Sequence, residues 1–159
     1  MALKETAATK NAALNATGIK PQMALGFLYL YSGTVPATAD EALDFVGTHT
    51  EIVHITNNST ATGITFDAPV SGVLSKAAAE TWSGVVAITG FNVASPQAPT
   101  FYRLCAAGDN GRLVANAATG YRIQGSVGGP SSGADLQLGT ASLTNGNTQA
   151  VGAFSYSLA

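Results

Sequence analysis

The stretch "FLYLYS" at residues 27–32 decides the fold class of this 159-residue chain. It joins aromatic and aliphatic side chains, the residue types that β-strands favour, and the "SGTVP" that ends it has the glycine and proline of a turn. The same pattern of short apolar runs separated by glycine, proline and asparagine continues along the chain. It predicts eight or nine strands, at residues 27–32, 50–56, 63–68, 71–75, 82–89, 100–107, 120–127, 134–139 and 150–158.

Many short strands without long alternating helices favour an all-β fold, an antiparallel β-sandwich of jelly-roll type. Period-two alternation, clearest where Phe154, Tyr156 and Leu158 share one face, predicts that each strand has one inward side and one that meets water or a partner. A single helical signal interrupts the strands at "TADEALDF", residues 38–45, where Thr38 and Glu41 have the spacing of a capping box. We expect one short helix there, after the first strand.

The N-terminal segment differs in composition from the rest of the chain. Residues 5–16 are rich in alanine, and Gly18 follows them. An alanine face gains little from packing on its own domain. We therefore predict an N-terminal arm or short helix over residues 1–24, ordered by a neighbouring molecule if it is ordered, and a β-sandwich domain over residues 25–159.

The charge content excludes several classes of partner. Charged residues make up 10% of the chain, with a formal net charge of −2, against about 25% charged residues in an ordinary soluble domain. Scattered single lysines and arginines form no basic stripe for a nucleic acid. No apolar run approaches the ~20 residues of a membrane span, and the N-terminus lacks a secretory signal. We expect synthesis in the cytoplasm and neither nucleic acid nor membrane as partner.

The segment "TFYRLCAAGDNGRLV", residues 100–114, contains the only cysteine and is the first candidate for a reactive centre. Alternation places Phe101, Arg103 and Cys105 on one strand face, and a nearby cation can activate a thiol. A lone cysteine is nevertheless more often a buried apolar side chain. We predict a strand that runs into a hairpin turn at Asp109–Gly111, with Cys105 buried and slow to react.

The other candidates have structural explanations too. His49 and His54 lie five residues apart, so their side chains point to opposite strand faces and cannot share a metal. "GPSSG" at 129–133 matches a nucleophile elbow, but a strand follows it where that motif requires a helix. Asp40, Glu41 and Asp44 suit a helix start. We therefore predict no catalytic, cofactor-binding or metal-binding residue, no cofactor, and a protein that is not an enzyme.

Aromatic residues could instead line a sugar-binding face, because their rings combine apolar area with polar groups. Core packing explains most of them more simply, and Trp82 is the one we expect to be partly exposed. The aromatics considered are Phe27, Tyr29, Tyr31, Trp82, Phe101, Tyr102, Tyr121, Phe154 and Tyr156.

An ordered series of motifs resembles a family of small virion structural proteins from tailed bacteriophages. The motifs are "LYLYSGTVPATADEA", "ITFDAPVSGVLSKAAAETWSG", "TFYRLCAAGD" and "RIQGSVGGPSSGADLQLG" with the tail "LTNGNTQAVGAFSYSLA", and together they span residues 25–158. The resemblance implies a capsid decoration (cement) protein on the capsid surface of the virion. Its implied partners are the major capsid protein and further copies of itself, as a dimer or trimer.

Two other functions stay open. A tail, baseplate or neck component would belong to the same virion class, and the sequence does not separate these locations. A carbohydrate-binding surface module would need a concave patch of exposed aromatic side chains.

Overall fold

The computed structural model describes residues 4–6, 9, 18–71, 73–116 and 120–157. Over these residues the chain is mostly β, which confirms the predicted all-β class. Its elements are β1 (Lys4–Glu5), α1 (Ile19–Met23), β2 (Phe27–Ser32), β3 (Thr50–Asn57), β4 (Val73–Ser75), β5 (Trp82–Val85), β6 (Thr89–Gly90), β7 (Phe101–Cys105), β8 (Arg122–Gly128), β9 (Leu136–Gln137), β10 (Thr148–Val151) and β11 (Ser155–Ser157).

Most of the strands form one curled, mixed sheet in the order β1-β8-β7-β2-β3-β5-β10. β6 adds to β3, and β9 adds to β8 as the parallel pair that makes the sheet mixed. β4 and β11 form a separate antiparallel pair. Strands distant in sequence are therefore neighbours in space, and β2 lies at the centre between β7 and β3.

The predicted strands agree best with the structure at the centre of the sheet. β2 has the predicted bounds, β3 starts where predicted and ends one residue later, and β7 and β8 differ by one or two residues at each end. The predicted strand 82–89 is divided into β5 and β6, and the strand 150–158 into β10 and β11. Residues 63–68 form only single bridges, at Ile64 and Phe66.

Two apolar clusters lie on opposite faces of the sheet. Leu28 and Leu30 of β2 point into the main core, whereas Tyr29 and Tyr31 point into a second, smaller cluster. β7 follows the same alternation and is buried along its whole length. The expectation that every strand has one side facing water or a partner is therefore wrong for β2 and β7, because loops cover the second face.

The helix predicted at residues 38–45 is not formed; the chain makes turns and bends there. The Glu41 carboxylate does accept the hydrogen bond from the Thr38 amide (3.1 Å) that a capping box requires. However, Arg103 donates to the carbonyls of Thr38 and Glu41, and Arg122 donates to that of Ala39. A helix needs those carbonyls for its own i to i+4 hydrogen bonds, so contacts with the sheet replace the helix.

The described part of the N-terminal segment contacts the sheet of its own chain. Lys4 and Glu5 pair with β8, and the Thr9 hydroxyl donates to the Arg122 carbonyl at 2.8 Å. Thr6 and Thr9 are buried. For these residues the expectation of an arm ordered only by a neighbour is wrong. Residues 7, 8 and 10–17 lie outside the described part, so the division at residue 24 stays a prediction.

Candidate interaction surface

Two loops cover the second face of the sheet, and we call them the loop layer: residues 33–49 and 106–116. They are hydrogen-bonded to each other through the Leu43 amide and the Arg112 carbonyl (2.7 Å), and through the Ala115 amide and the Asp40 carbonyl (2.9 Å). Backbone groups that would otherwise be left buried without partners are thereby satisfied. The two loops therefore form one continuous layer.

Arg103 attaches this layer to the centre of the sheet. It belongs to β7 and is fully buried, and its Nε donates to the Gln124 side chain of β8 at 2.9 Å. One terminal nitrogen donates to the carbonyls of Glu41 (2.8 Å) and Gly111 (2.6 Å), one from each loop. A guanidinium presents its donors in a fixed plane, so this side chain fixes both loops at once.

Arg122 and Asp109 form the second attachment, a buried ion pair with two-point contact. The Asp109 carboxylate accepts from Arg122 Nε at 2.6 Å and from Nη2 at 2.7 Å. The remaining guanidinium nitrogen donates to the carbonyls of Leu113 (2.7 Å) and Ala39 (3.3 Å). Asp109 also accepts from the Gly111 amide at 2.9 Å, which makes the turn predicted at "DNG". β8 starts only at Arg122, so the predicted tight hairpin is instead a long loop.

The electrostatics of the two arginines differ because only one of them faces a carboxylate. Burial and the neighbouring charge of Arg122 lower the pKa of Arg103 to about 10. Burial also opposes the charge of Arg122, but the hydrogen bonds and the charge of Asp109 outweigh it and raise the pKa of Arg122. Both guanidinium groups are therefore charged at neutral pH and hold their carbonyl partners.

Cys105 lies beneath the loop layer and is not arranged as a nucleophile. Its side chain is fully buried, and burial, followed by the charge of Asp109, raises the pKa of its thiol far above the usual range. A Cβ on Gly111 would approach the sulfur within 2.9 Å, so the turn packs directly on the thiol. The predicted burial of Cys105 on a strand is confirmed.

Apolar side chains project from the outer side of the loop layer. Val46 is 89% exposed, and Leu113 and Val114 are each 70% exposed. Beside them Arg112 lies over the Phe45 ring, 4.6 Å from its centroid, and pairs with Glu51 at 2.8 Å. Exposed apolar side chains mark a protein contact where they form a contiguous patch, and Val46, Leu113 and Val114, carried on one hydrogen-bonded layer, are the candidate for such a contact.

The histidines and the acidic residues take structural roles. His49 Nδ1 accepts from the Asp44 amide at 2.9 Å, and Nε2 lies 2.8 Å from the Thr34 carbonyl, to which it donates. His54 is exposed on β3. The Asp44 carboxylate accepts from the amides of Val46 and Gly47 and so shapes the tip of the first loop. The prediction that the two side chains point to opposite faces is wrong, because the His49 ring packs on Phe101 and the His54 ring packs on Tyr29, both members of the second cluster. The register between β2 and β3 shifts at Leu30 and Tyr31, so strict alternation does not hold along β3.

Trp82 is completely buried, so the expectation of partial exposure is wrong. Its ring packs against Phe66 and Phe154, at centroid distances of 5.3 and 5.6 Å, and its Nε1 donates to Glu80 at 3.0 Å. The other aromatics considered for a sugar-binding face are buried or half-buried in the two clusters. Phe91, outside that set, is the exposed aromatic side chain of the described residues.

The remaining candidate segments do not have the geometry of a catalytic or metal-binding site in the described part of the chain. The "GPSSG" segment is an exposed turn that leads into β9, so the strand-to-helix geometry of a nucleophile elbow is missing there. An open groove of about 590 Å³ between β9 and β11 contains Lys76, whose amine donates to the carbonyls of Ala77 and Glu80. Within residues 4–6, 9, 18–71, 73–116 and 120–157, no three His, Cys, Asp or Glu side chains could hold a metal ion.

Comparisons with known proteins add no relative: no family model, curated protein or solved structure matches the chain. The helix in the described part of the chain is too short to cross a membrane.

The roles of Arg103 and Arg122 were not predicted from the sequence. The signal was present, because each arginine stands beside aromatic and aliphatic residues in a predicted strand, in "FYRLC" and "YRIQG". An arginine in such a strand is buried only with partners, and the nearby turn at Asp109 supplies one of them.

Proposed function

We propose that this protein is a virion structural protein that binds the outer surface of the capsid as a decoration, or cement, protein. The observation that carries the proposal is the set of exposed apolar side chains on the loop layer, Val46, Leu113 and Val114, held in place by Arg103 and Arg122. The resemblance to small virion proteins of tailed phages supports it from the sequence.

The low charge of the chain suits this role. Burying unpaired charges makes a contact costly, and only 10% of the residues are charged. Full burial of an aliphatic side chain contributes about 1.5–3 kcal/mol, so a few such contacts repeated over a lattice give strong attachment. We infer that the mechanism is mechanical: the protein bridges neighbouring copies of the major capsid protein, acts as a homo-oligomer and has no catalytic residue.

For the fold we propose a jelly-roll-like sandwich in which the β4–β11 pair faces the large sheet across the main core. Leu74 of β4 and Tyr156 of β11 belong to that core together with Leu28 and Leu30 of β2, which supports two layers. The parallel β8–β9 pair departs from a purely antiparallel arrangement.

Binding to capsids that lack the protein tests the proposal. The Leu113→Ser/Val114→Ser variant should lose about a hundredfold or more in affinity for such capsids, since each of the two lost apolar contacts is worth about 1.5 kcal/mol or more. The matched control is Val70→Ser, which changes a 71% exposed valine outside the loop layer and should bind like the unmodified protein. Equal affinities for all three proteins would contradict this assignment of the surface.

Counting copies in the intact particle by electron cryomicroscopy distinguishes the alternatives. Density repeated over the capsid lattice fits decoration, and a few copies at the tail, baseplate or neck would overturn it in favour of the second virion role. The carbohydrate-binding alternative lacks a structural feature in its favour, because the aromatic residues proposed for it lie in the core clusters.

A further inference from the structure

The strand at one edge of the main sheet is β10. β10 pairs with β5 in regular antiparallel register, from Thr148 opposite Val85 to Val151 opposite Trp82. On its other side, no strand within the described residues pairs with it. Thr148 and Ala150 are both exposed.

The hydrogen-bond register shows which backbone groups of β10 point away from the sheet. Just before the strand, the Val86 amide donates to the Asn147 carbonyl at 2.8 Å. Groups facing the partner strand alternate with groups facing away, so Gln149 and Val151 bond to β5 while Thr148 and Ala150 direct their N–H and C=O groups outward. The Gln149 side chain folds over this edge, where its amide donates to the Ala150 carbonyl.

β10 is protected as an edge by its short length of four residues and by the Gln149 side chain, but it has neither charge nor proline. Natural edges carry lysine, proline, a bulge or a covering segment. The sequence of β10 is "TQAV", and its register with β5 is regular. A bulge lies just before the strand, where the Gly146 amide donates to the Val86 carbonyl and the Val86 amide donates to the Asn147 carbonyl. No charged residue occurs between Leu136 and Ala159. An identical strand could therefore approach without repulsion between like charges.

We propose that β10 pairs antiparallel with β10 of a second copy of this chain, about a twofold axis that passes Gln149. In this register Thr148 lies opposite Ala150 of the copy, so every outward N–H of these two residues meets an outward C=O. Antiparallel alignment about a twofold axis is the self-complementary contact of a symmetric dimer, and it joins two sheets into one. The inference does not depend on the capsid role, and it uses a different surface from the loop layer.

Cysteine cross-linking tests the pairing directly, even for a weak contact. Residues at the axis form a non-hydrogen-bonded pair with Cα atoms about 4.5 Å apart, within the roughly 4.4–6.8 Å that a disulfide spans. Under mild oxidation, Gln149→Cys should form covalent dimers at least about tenfold faster than a control thiol, because pairing raises the effective concentration.

Ala107→Cys is the matched control, since Ala107 is exposed and follows β7, which three strands separate from β10. The buried native thiol of Cys105 stays in both proteins. Adding Ala150→Pro to Gln149→Cys removes an outward N–H without removing a hydrogen bond to β5, and it should reduce the cross-linking rate to that of the control. Circular dichroism and urea unfolding of every variant verify that the fold is kept.

Two results would overturn the proposal. Equal rates for Gln149→Cys and Ala107→Cys would show that β10 does not meet its copy. Rapid cross-linking that Ala150→Pro leaves unchanged would show a contact that does not use the edge hydrogen bonds.

Discussion

Removing the carboxylate of Asp109 should destabilise the protein far more than removing an exposed carboxylate. Asp109→Ala leaves the charge of Arg122, which is 2% exposed, buried without its counter-ion. Breaking a buried ion pair from one side typically costs about 3–5 kcal/mol. The lost hydrogen bond from the Gly111 amide adds about 1 kcal/mol, so we expect a decrease of about 4–6 kcal/mol in the free energy of unfolding.

Urea unfolding followed by circular dichroism measures this decrease. With a slope of about 2 kcal/mol per molar urea, typical of a small domain, the midpoint should fall by about 2–3 M. The control is Asp135→Ala, which removes an exposed carboxylate that accepts hydrogen bonds from Ser126 and should cost about 1 kcal/mol. Asp109→Asn keeps an oxygen for Gly111 but lacks the charge, and its midpoint should lie between the two.

Equal midpoints for Asp109→Ala and Asp135→Ala would refute the reasoning, since they would mean that the Arg122 charge needs no buried partner. Should Asp109→Ala fail to fold, Asp109→Asn against Asp135→Ala gives the same comparison with a smaller expected difference.

Three further predictions concern single side chains. Cys105 should react with a thiol reagent only as fast as the protein opens, and labelling at the unfolded rate in native buffer would contradict its burial. Burial raises the pKa of Glu80, but hydrogen bonds from Thr65 and Trp82 outweigh it and bring that pKa below 4.5. The stabilisation from the Glu80 carboxylate should therefore be complete at neutral pH and be lost as the pH falls from about 4.5 through the lower folded value. Glu80→Gln should weaken this acid dependence in urea titrations between pH 7 and pH 3. Phe154→Ala should cost about 3–5 kcal/mol by opening a cavity in the main core, and a calorimetric Tm close to that of the unmodified protein would count against it.

The central strands could be predicted from sequence because they depend on local composition. "FLYLYS" has the residue types of a strand and turn residues after it, and β2 has the predicted bounds. Local composition did not show that the helix predicted at residues 38–45 would fail to form. Thr38 and Glu41 make the local contact that the pattern indicates, but Arg103, distant in sequence, takes the carbonyls that a helix needs.

The burial of Trp82 shows a similar limit. Its neighbours in sequence, Glu80 and Ser83, suggested a surface position. In the structure the Glu80 carboxylate turns back to accept from the indole N–H, so the polar atom is satisfied while the ring is in the core. Alternation along a strand indicates a face, and only the tertiary fold shows which partner covers it. The positions of Val46, Leu113 and Val114 on one layer depend likewise on long-range hydrogen bonds.

The strand order also has a kinetic consequence. Lys4 pairs with Gln124, Leu28 with Leu104, and Ser157 with Val73. Folding rates fall as the mean sequence separation between contacting residues increases. In this sheet, strand pairs at the edge and at the centre both join residues that are far apart in sequence. During synthesis, β1 has no partner until β8 leaves the ribosome, and β5 stays an unpaired edge until β10 follows. Nascent chains therefore expose these strand edges until β8 and β10 have been synthesised, so the sheet is completed late in folding.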